Sequence, residues 1–158
     1  MNLEIPQPYL LFLGDVTEVP FAKTAFGLRD WAPKLCVGEC ALPTATVTTG
    51  LPRLTGGEGH ARGARSLVIG VANRGGVLAS AWIPKLLEAL EAGLDIVSGM
   101  HGRLAQQLEL KLAAQRLGRR LIDVREPPPN IPTVDISLLF PCAWRIADQA
   151  AIGVWKSP

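Results

Sequence analysis

SLVIGVANRGG, running from Ser66 to Gly76, is the stretch whose reading decides the fold. A short apolar, largely β-branched run, Leu67 to Val71, passes straight into Ala72-Asn73-Arg74-Gly75-Gly76, and helical periodicity resumes near Ser80. An unbroken apolar run of this length, ended by turn residues, reads as a buried strand. The polar, glycine-rich segment then sits at that strand's carboxyl end. In open α/β sheets ligands bind in the crevice beyond such ends, which makes the loop a binding-site candidate. Its glycines permit positive φ and let backbone N–H groups approach an anion with no Cβ in the way.

Upstream, Tyr9 to Leu13 reads as a first strand ending at Gly14-Asp15, behind the lead Ile5-Pro6-Gln7-Pro8. Ala22 to Trp31 reads as a helix that contains the weak helix former Gly27, and Lys34 to Gly38 as a second short strand after Pro33. The polar stretch from Thr44 to Gly63 has room for a short helix around Gly57 to Arg62. Downstream, Ser80 is expected to N-cap a helix that carries Ile83, Leu86, Leu87 and Leu90 on one face, tolerates Pro84 in its first turn and stops at Gly93. Leu94 to Val97 is a fourth strand. A second helix is expected to present Leu104, Leu108 and Leu112 at four-residue spacing, with Leu117 extending the face and Gly118 ending it. Leu121 to Val124 is the fifth strand.

Strands alternating with helices at this spacing predict an α/β fold, Rossmann-like and doubly wound, with a mostly parallel five-stranded sheet and helices on both faces. Residues 1–126 make up this domain. The Pro127-Pro128-Pro129 run is extended and semi-rigid by composition, so it marks a boundary before a proline-led tail at 127–158.

Composition narrows the function classes. The 158 residues suit one domain plus an extension, and 16 basic against 14 acidic side chains give a formal charge of +2. That balance points away from a nucleic-acid partner. The apolar runs are too short to span a bilayer, and Met1-Asn2-Leu3-Glu4 lacks a signal-peptide n-region, so a cytoplasmic protein is expected. Cys36, Cys40 and Cys142 show no CxxC spacing. They read as buried thiols, and no metal site is expected.

The fold gathers polar residues at one edge of the sheet: Asp15 after the first strand, Asn73 and Arg74 after the third, Ser98, His101 and Arg103 after the fourth, Asp123 and Arg125 after the fifth. Three arginines with glycine-rich backbone, Gly75 and Gly76, suit a small anion such as a carboxylate or phosphate, because guanidinium offers paired donors matched to either. Each residue also has a structural reading. Arg74 can satisfy strand-end carbonyls, His101 can be a solvated turn residue rather than an acid or base, and Asp15 and Asp123 can cap turns or pair with the arginines. No GxGxxG, GxxxxGK[ST] or GxSxG motif occurs, so a dinucleotide oxidoreductase would rest on fold analogy alone.

Five blocks together, PQPYLLFLGD at Pro6 to Asp15, AKTAFGLRDW at Ala22 to Trp31, GARSLVIGVANRGG at Gly63 to Gly76, GLDIVSGMHGRL at Gly93 to Leu104 and GRRLIDVR at Gly118 to Arg125, resemble the N-terminal domain of the DgcN-type D-glutamate N-acetyltransferases. The resemblance covers residues 5 to 126. It implies a Rossmann-like domain followed in the family by a larger P-loop domain, and transfer of an acetyl group from acetyl-CoA to D-glutamate. It places ligand-binding roles on Asn73, Arg74, Gly75, Gly76, His101 and Arg103 and assigns no catalytic residue. D-glutamate or a CoA phosphate would be the anionic partner.

Residues 130–158 contain no strand followed by a P-loop ending in Gly-Lys, and so depart from the family. Two explanations stand: a genuine alternative C-terminus, or a translation product beyond a frameshift. The first corresponds to a stand-alone anion-binding or regulatory module without catalysis, the second to an acetyltransferase domain inactive without its P-loop partner. A truncated domain would also expose apolar surface and self-associate into a homo-oligomer.

Overall fold

The computed structural model describes residues 4–125. In chain order they form β1 (Tyr9–Gly14), α1 (Lys23–Trp31), β2 (Cys36–Ala41), α2 (Gly56–Ala61), β3 (Ser66–Ile69), α3 (Ile83–Glu91), β4 (Asp95–Ser98), α4 (Leu108–Leu117) and β5 (Leu121–Asp123). The strands make one sheet in the order β2-β1-β3-β4-β5, and every pairing is parallel. Parallel registry sets Leu10 beside Leu67 and Phe12 beside Ile69, then Leu67 beside Ile96. All six residues of β1 are buried, as expected for an interior strand of a sheet covered on both faces.

The order reverses once. From β1 the chain turns outward through α1 to β2, then returns across β1 through α2 to β3 and continues through α3 and α4. Right-handed crossovers in opposite directions place their helices on opposite faces. Accordingly α1 packs on β1 and β3, while α3 packs between α2 and α4 on the other side. The doubly wound reading holds, with a wholly parallel sheet.

Gly70, just beyond β3, is where α1 comes closest. The Ala25 N–H donates to the Gly70 carbonyl at 3.0 Å, and a Cβ on Gly70 would lie 2.5 Å from the Ala25 Cβ. Two residues on, the Ala72 N–H donates to the Phe21 carbonyl at 2.8 Å. The start of α1 and the exit of β3 are thereby fastened together.

Buried Glu39 of β2, 1% exposed, organises the long segment that follows its strand. Its carboxylate accepts from the Thr48 hydroxyl at 2.7 Å, from the Thr49 N–H and hydroxyl at 2.6 Å each, and from Arg53 at 3.3 Å. A buried carboxylate persists only when saturated with donors in this way. The short α2 is held by a capping box in which the Thr55 side chain accepts from the Glu58 N–H and Glu58 accepts from the Thr55 N–H. The Thr55 N–H and the Thr55 hydroxyl, donating to the Glu58 carboxylate at 2.8 and 2.9 Å, hold that carboxyl below its ordinary range.

Three expectations need correcting. The second strand begins at Cys36, not Lys34, because Pro33–Leu35 close a 3-10 turn first. Ser80 is not a helix N-cap: it opens the 3-10 turn Ser80–Trp82, its carbonyl accepts from the Ile83 N–H, and α3 starts without a side-chain cap. The face expected of the last helix is reversed. Leu104 is buried, but in a separate 3-10 turn, and the extended backbone of Gln107 breaks the periodicity before α4. Within α4 the buried residues are Leu110, Ala113 and Ala114, whereas Leu108 and Leu112 are 65% and 56% exposed. At 100° per residue those two leucines point directly away from the core. The tail at 127–158, its Cys142 and the 126/127 boundary lie outside the described residues.

The two faces of α4 should separate in a denaturation experiment. Leu110→Ala is expected to cost about 2–4 kcal/mol in urea unfolding, as for a fully buried leucine. Leu112→Gln is expected to stay within about 0.5 kcal/mol of the parent, as for a surface change. Equal effects would contradict this face assignment, and a larger loss at Leu112 would restore the opposite one.

Candidate functional site

The reversal of strand order lies between β1 and β3, and the chain leaves both strands at the same edge. In doubly wound sheets of this order the ligand crevice opens at that point. A cleft of about 230 Å³ occupies it, lined by Asp15, Val16 and Thr17 after β1, by Val71, Ala72, Asn73 and Arg74 after β3, and by Phe21 and Trp82.

Asp15 is held in place by Trp82. The indole Nε1–H donates to one carboxylate oxygen of Asp15 at 2.8 Å, and Trp82 is only 2% exposed. Its ring meets the Phe12 ring edge-on, centroids 5.6 Å apart at 79°. It also lies against Gly14, whose φ is +56° and where a Cβ would come within 2.7 Å of the ring. Behind Asp15, the Leu42 N–H donates to the Gly14 carbonyl at 2.8 Å, and Thr46 donates to Val16 at 3.1 Å. One carboxylate oxygen of an otherwise exposed Asp15 is thus committed, and no side-chain partner for the other is found among the described residues.

On the segment after β3, the Asn73 amide nitrogen donates to the Val77 carbonyl at 2.6 Å, which fixes the amide orientation. Its oxygen Oδ1 is buried and has no hydrogen-bond partner among the described residues. An unsatisfied buried acceptor costs on the order of 1–3 kcal/mol, so the loop holds an unspent acceptor. Arg74 is exposed and makes no hydrogen bond or ion pair among the described residues.

The remaining expected site residues form a neighbouring cluster instead of joining the cleft. Gly76 has φ of +63°, and the His101 ring lies where its side chain would be, 2.7 Å from a built Cβ. The Gly102 N–H donates to the Gly76 carbonyl at 2.8 Å, tying together the loops after β3 and β4. One Arg125 nitrogen is 3.2 Å from both ring nitrogens of His101. A nitrogen equidistant from both and in the ring plane would collide with Cε1, so the guanidinium lies over the ring face.

Ser98, fully buried, accepts from the Met100 N–H through its hydroxyl and shapes the exit of β4. Asp123 accepts the Leu104 N–H with both carboxylate oxygens at 3.2 Å and so braces the turn that Arg103 precedes. Gly75 stands exposed at the loop tip with φ of +95°. Of the three arginines expected to share one anion, only Arg74 lines the cleft. Trp82, Phe21 and Thr17 were not among the expected site residues, and nothing in their spacing distinguishes them from core or loop positions.

Cys36 and Cys40 are buried free thiols of β2. Burial pushes the Cys40 thiol up to about 11, only partly offset by Lys85 and Arg53. Among the described residues no group of three or more His, Cys, Asp or Glu is placed to hold a metal ion. No helix among them is long and apolar enough to cross a membrane.

Gly14→Ala is expected to destabilise by about 1–3 kcal/mol, since it adds a Cβ against Trp82 at positive φ. Gly57→Ala, in α2 with open space around it, is expected to stabilise by about 0.4–1 kcal/mol. Opposite signs in thermal unfolding would check both. For Cys40, the folded thiol keeps its proton between its ordinary value of 9.0 and about 11 while the unfolded thiol loses it. Stability should therefore fall as pH rises through that window, and Cys40→Ala should flatten the fall.

Residues 36–127 match the model of a Rossmann-like domain described as a domain of unknown function, DUF1611_N. Over 131 residues the chain is 46% identical to a D-glutamate N-acetyltransferase of Tritonibacter scottomollicae, and 43% identical to one of a Pseudoalteromonas species. Each alignment takes in 83% of this chain, and 39% and 40% of the relatives respectively. The chain thus spans about two fifths of the length of these curated relatives. A crystal structure of a DUF1611 family protein from Anabaena variabilis superposes with a TM-score of 0.64 at 24% identity, over 82% of this chain and 40% of that one. That likeness supports the fold alone. With the model matching 92 of 158 residues, this chain belongs to the family of the DUF1611_N Rossmann-like domain.

Proposed function

We infer that this chain is the Rossmann-like domain of an acetyltransferase that moves an acetyl group from acetyl-CoA to D-glutamate, and that its switch-point edge binds a small anion. The observation that carries the reading is 46% identity over 131 residues to a D-glutamate N-acetyltransferase, in an alignment spanning 83% of the chain. In the reaction the amine nitrogen attacks the thioester carbonyl. A C–N bond forms, the C–S bond breaks, the thiolate leaves and the amine gives up a proton. The domain's contribution is to bind and orient, with Arg74 in the cleft and the stacked His101–Arg125 pair beside it.

Cleft size favours the amino acid over the coenzyme as its occupant. An apolar cavity of about 150 Å³ takes a benzene ring, so a cleft of about 230 Å³ takes a molecule of roughly nine or ten heavy atoms. D-glutamate is of that size, and acetyl-CoA is several times larger. The coenzyme would then bind outside this cleft.

Calorimetric titration of D-glutamate into this chain tests the reading, with mass spectrometry to look for N-acetyl-D-glutamate when acetyl-CoA is added. Saturable D-glutamate binding that Arg74→Ala weakens by about tenfold or more is the expected result, from loss of a charged hydrogen bond. Binding without product would assign substrate recognition to this domain, and product would make the chain an enzyme by itself. No binding of D-glutamate at millimolar concentration would contradict the reading.

A further inference from the structure

We propose that the switch-point cleft recognises the amine of its ligand as well as a carboxylate: Asp15, fixed by Trp82, receives the ammonium group, and Arg74 on the segment after β3 receives a carboxylate. The proposal rests on the acetyltransferase reading for the identity of the ligand. Its residue roles come from the donors and acceptors that the cleft leaves unspent.

The inventory is asymmetric. Among the described residues, the second carboxylate oxygen of exposed Asp15 has no side-chain donor and is open to a ligand, while the Oδ1 of Asn73, itself buried, also lacks a donor. Among the described residues, the one cationic side chain lining the cleft is Arg74. A ligand carrying only carboxylates or phosphates would satisfy Arg74 and be repelled by Asp15. An ammonium supplies three N–H donors and a positive charge, and so fits the Asp15 side. The two charges lie on separate segments, after β1 and after β3, which suits a zwitterion bridging the switch point.

Asp15 is also built for a fixed position. The Trp82 indole takes one oxygen and is itself clamped by Phe12 and by the missing Cβ of Gly14. A carboxylate that served only to cap a turn would accept from a nearby backbone N–H, as Asp123 does from Leu104. Asp15 instead turns toward an indole at the cleft wall. The walls of Phe21, Val16, Val71 and Trp82 are apolar and would suit the ligand's methylene groups.

The test compares D-glutamate with glutarate, which has the same two carboxylates and no amine, in calorimetric titrations of this chain. The parent should bind D-glutamate at least about tenfold more tightly than glutarate, the discrimination expected of one charge-assisted contact. Asp15→Asn keeps an acceptor for the Trp82 indole and should collapse that ratio to near one. Arg74→Gln, at an exposed side chain without a partner among the described residues, should weaken both ligands together and leave the ratio intact. Melting temperatures within a few degrees of the parent would establish that each variant is folded. Were Asp15→Asn instead too unstable to titrate, Asp15→Glu, which lengthens the side chain and keeps the charge, should preserve a preference for D-glutamate.

D-glutamate binding whose preference over glutarate survives Asp15→Asn, or is lost equally in Arg74→Gln, would overturn the proposal and leave the acetyltransferase reading standing. A parent that binds glutarate as well as D-glutamate would overturn it in the same way. A parent that binds neither would overturn both.

Discussion

The cleft depends on one steric fact: position 70 has no side chain, and α1 fills the space one would need. The Ala25 N–H reaches the Gly70 carbonyl because no Cβ intervenes, and the Ala72–Phe21 hydrogen bond extends the seam by two residues. These contacts fasten the front of α1 across the exit of β3. The strand neighbouring β3 at the reversal of order is β1, whose own exit is fastened to Leu42 and Thr46. Two chain exits are thus fixed on either side of one gap. Any ligand bound there meets preorganised groups and does not bear the entropic cost of ordering both segments.

Trp82 links this backbone frame to the chemistry. It precedes α3, so its placement follows from the third strand-to-helix connection, yet its indole hydrogen bond determines where the Asp15 carboxylate stands. The loop after β3 therefore acts twice, directly through Asn73 and Arg74 and indirectly through Trp82. The neighbouring His101–Arg125 pair is coupled to the same loop through Gly76 and Gly102, so movement of residues 73–77 would be felt in both clusters. Separation of the basic groups also matters. With Arg125 stacked on His101, the cleft carries one guanidinium and one carboxylate in place of a purely cationic edge.

Much of this frame was legible in the sequence, because buried parallel strands are written as unbroken apolar runs and their exits as glycine-rich loops. Tyr9 to Gly14 and Ser66 to Ile69 fall where those signals place them. The orientation of α4 was not legible. Leucines spaced by four residues define a stripe but do not say which way it points, and here the small residues Ala113 and Ala114, with Leu110, face the interior. The 3-10 turn at Leu104–Gln106 separates Leu104 from the helix it seemed to begin. Trp82 could not have been assigned to Asp15 from spacing, since 67 residues separate them and only the sheet order brings them together.

The most direct measurement is the indole N–H resonance of Trp82 in a nitrogen-15-labelled sample, assigned by Trp82→Phe and followed as D-glutamate is added. An ammonium arriving on Asp15 changes the acceptor of that N–H, so the account predicts a saturable shift of the Trp82 signal while that of exposed Trp31 stays in place. Saturable binding with an unmoved Trp82 resonance would contradict it and direct attention to another part of the sheet edge.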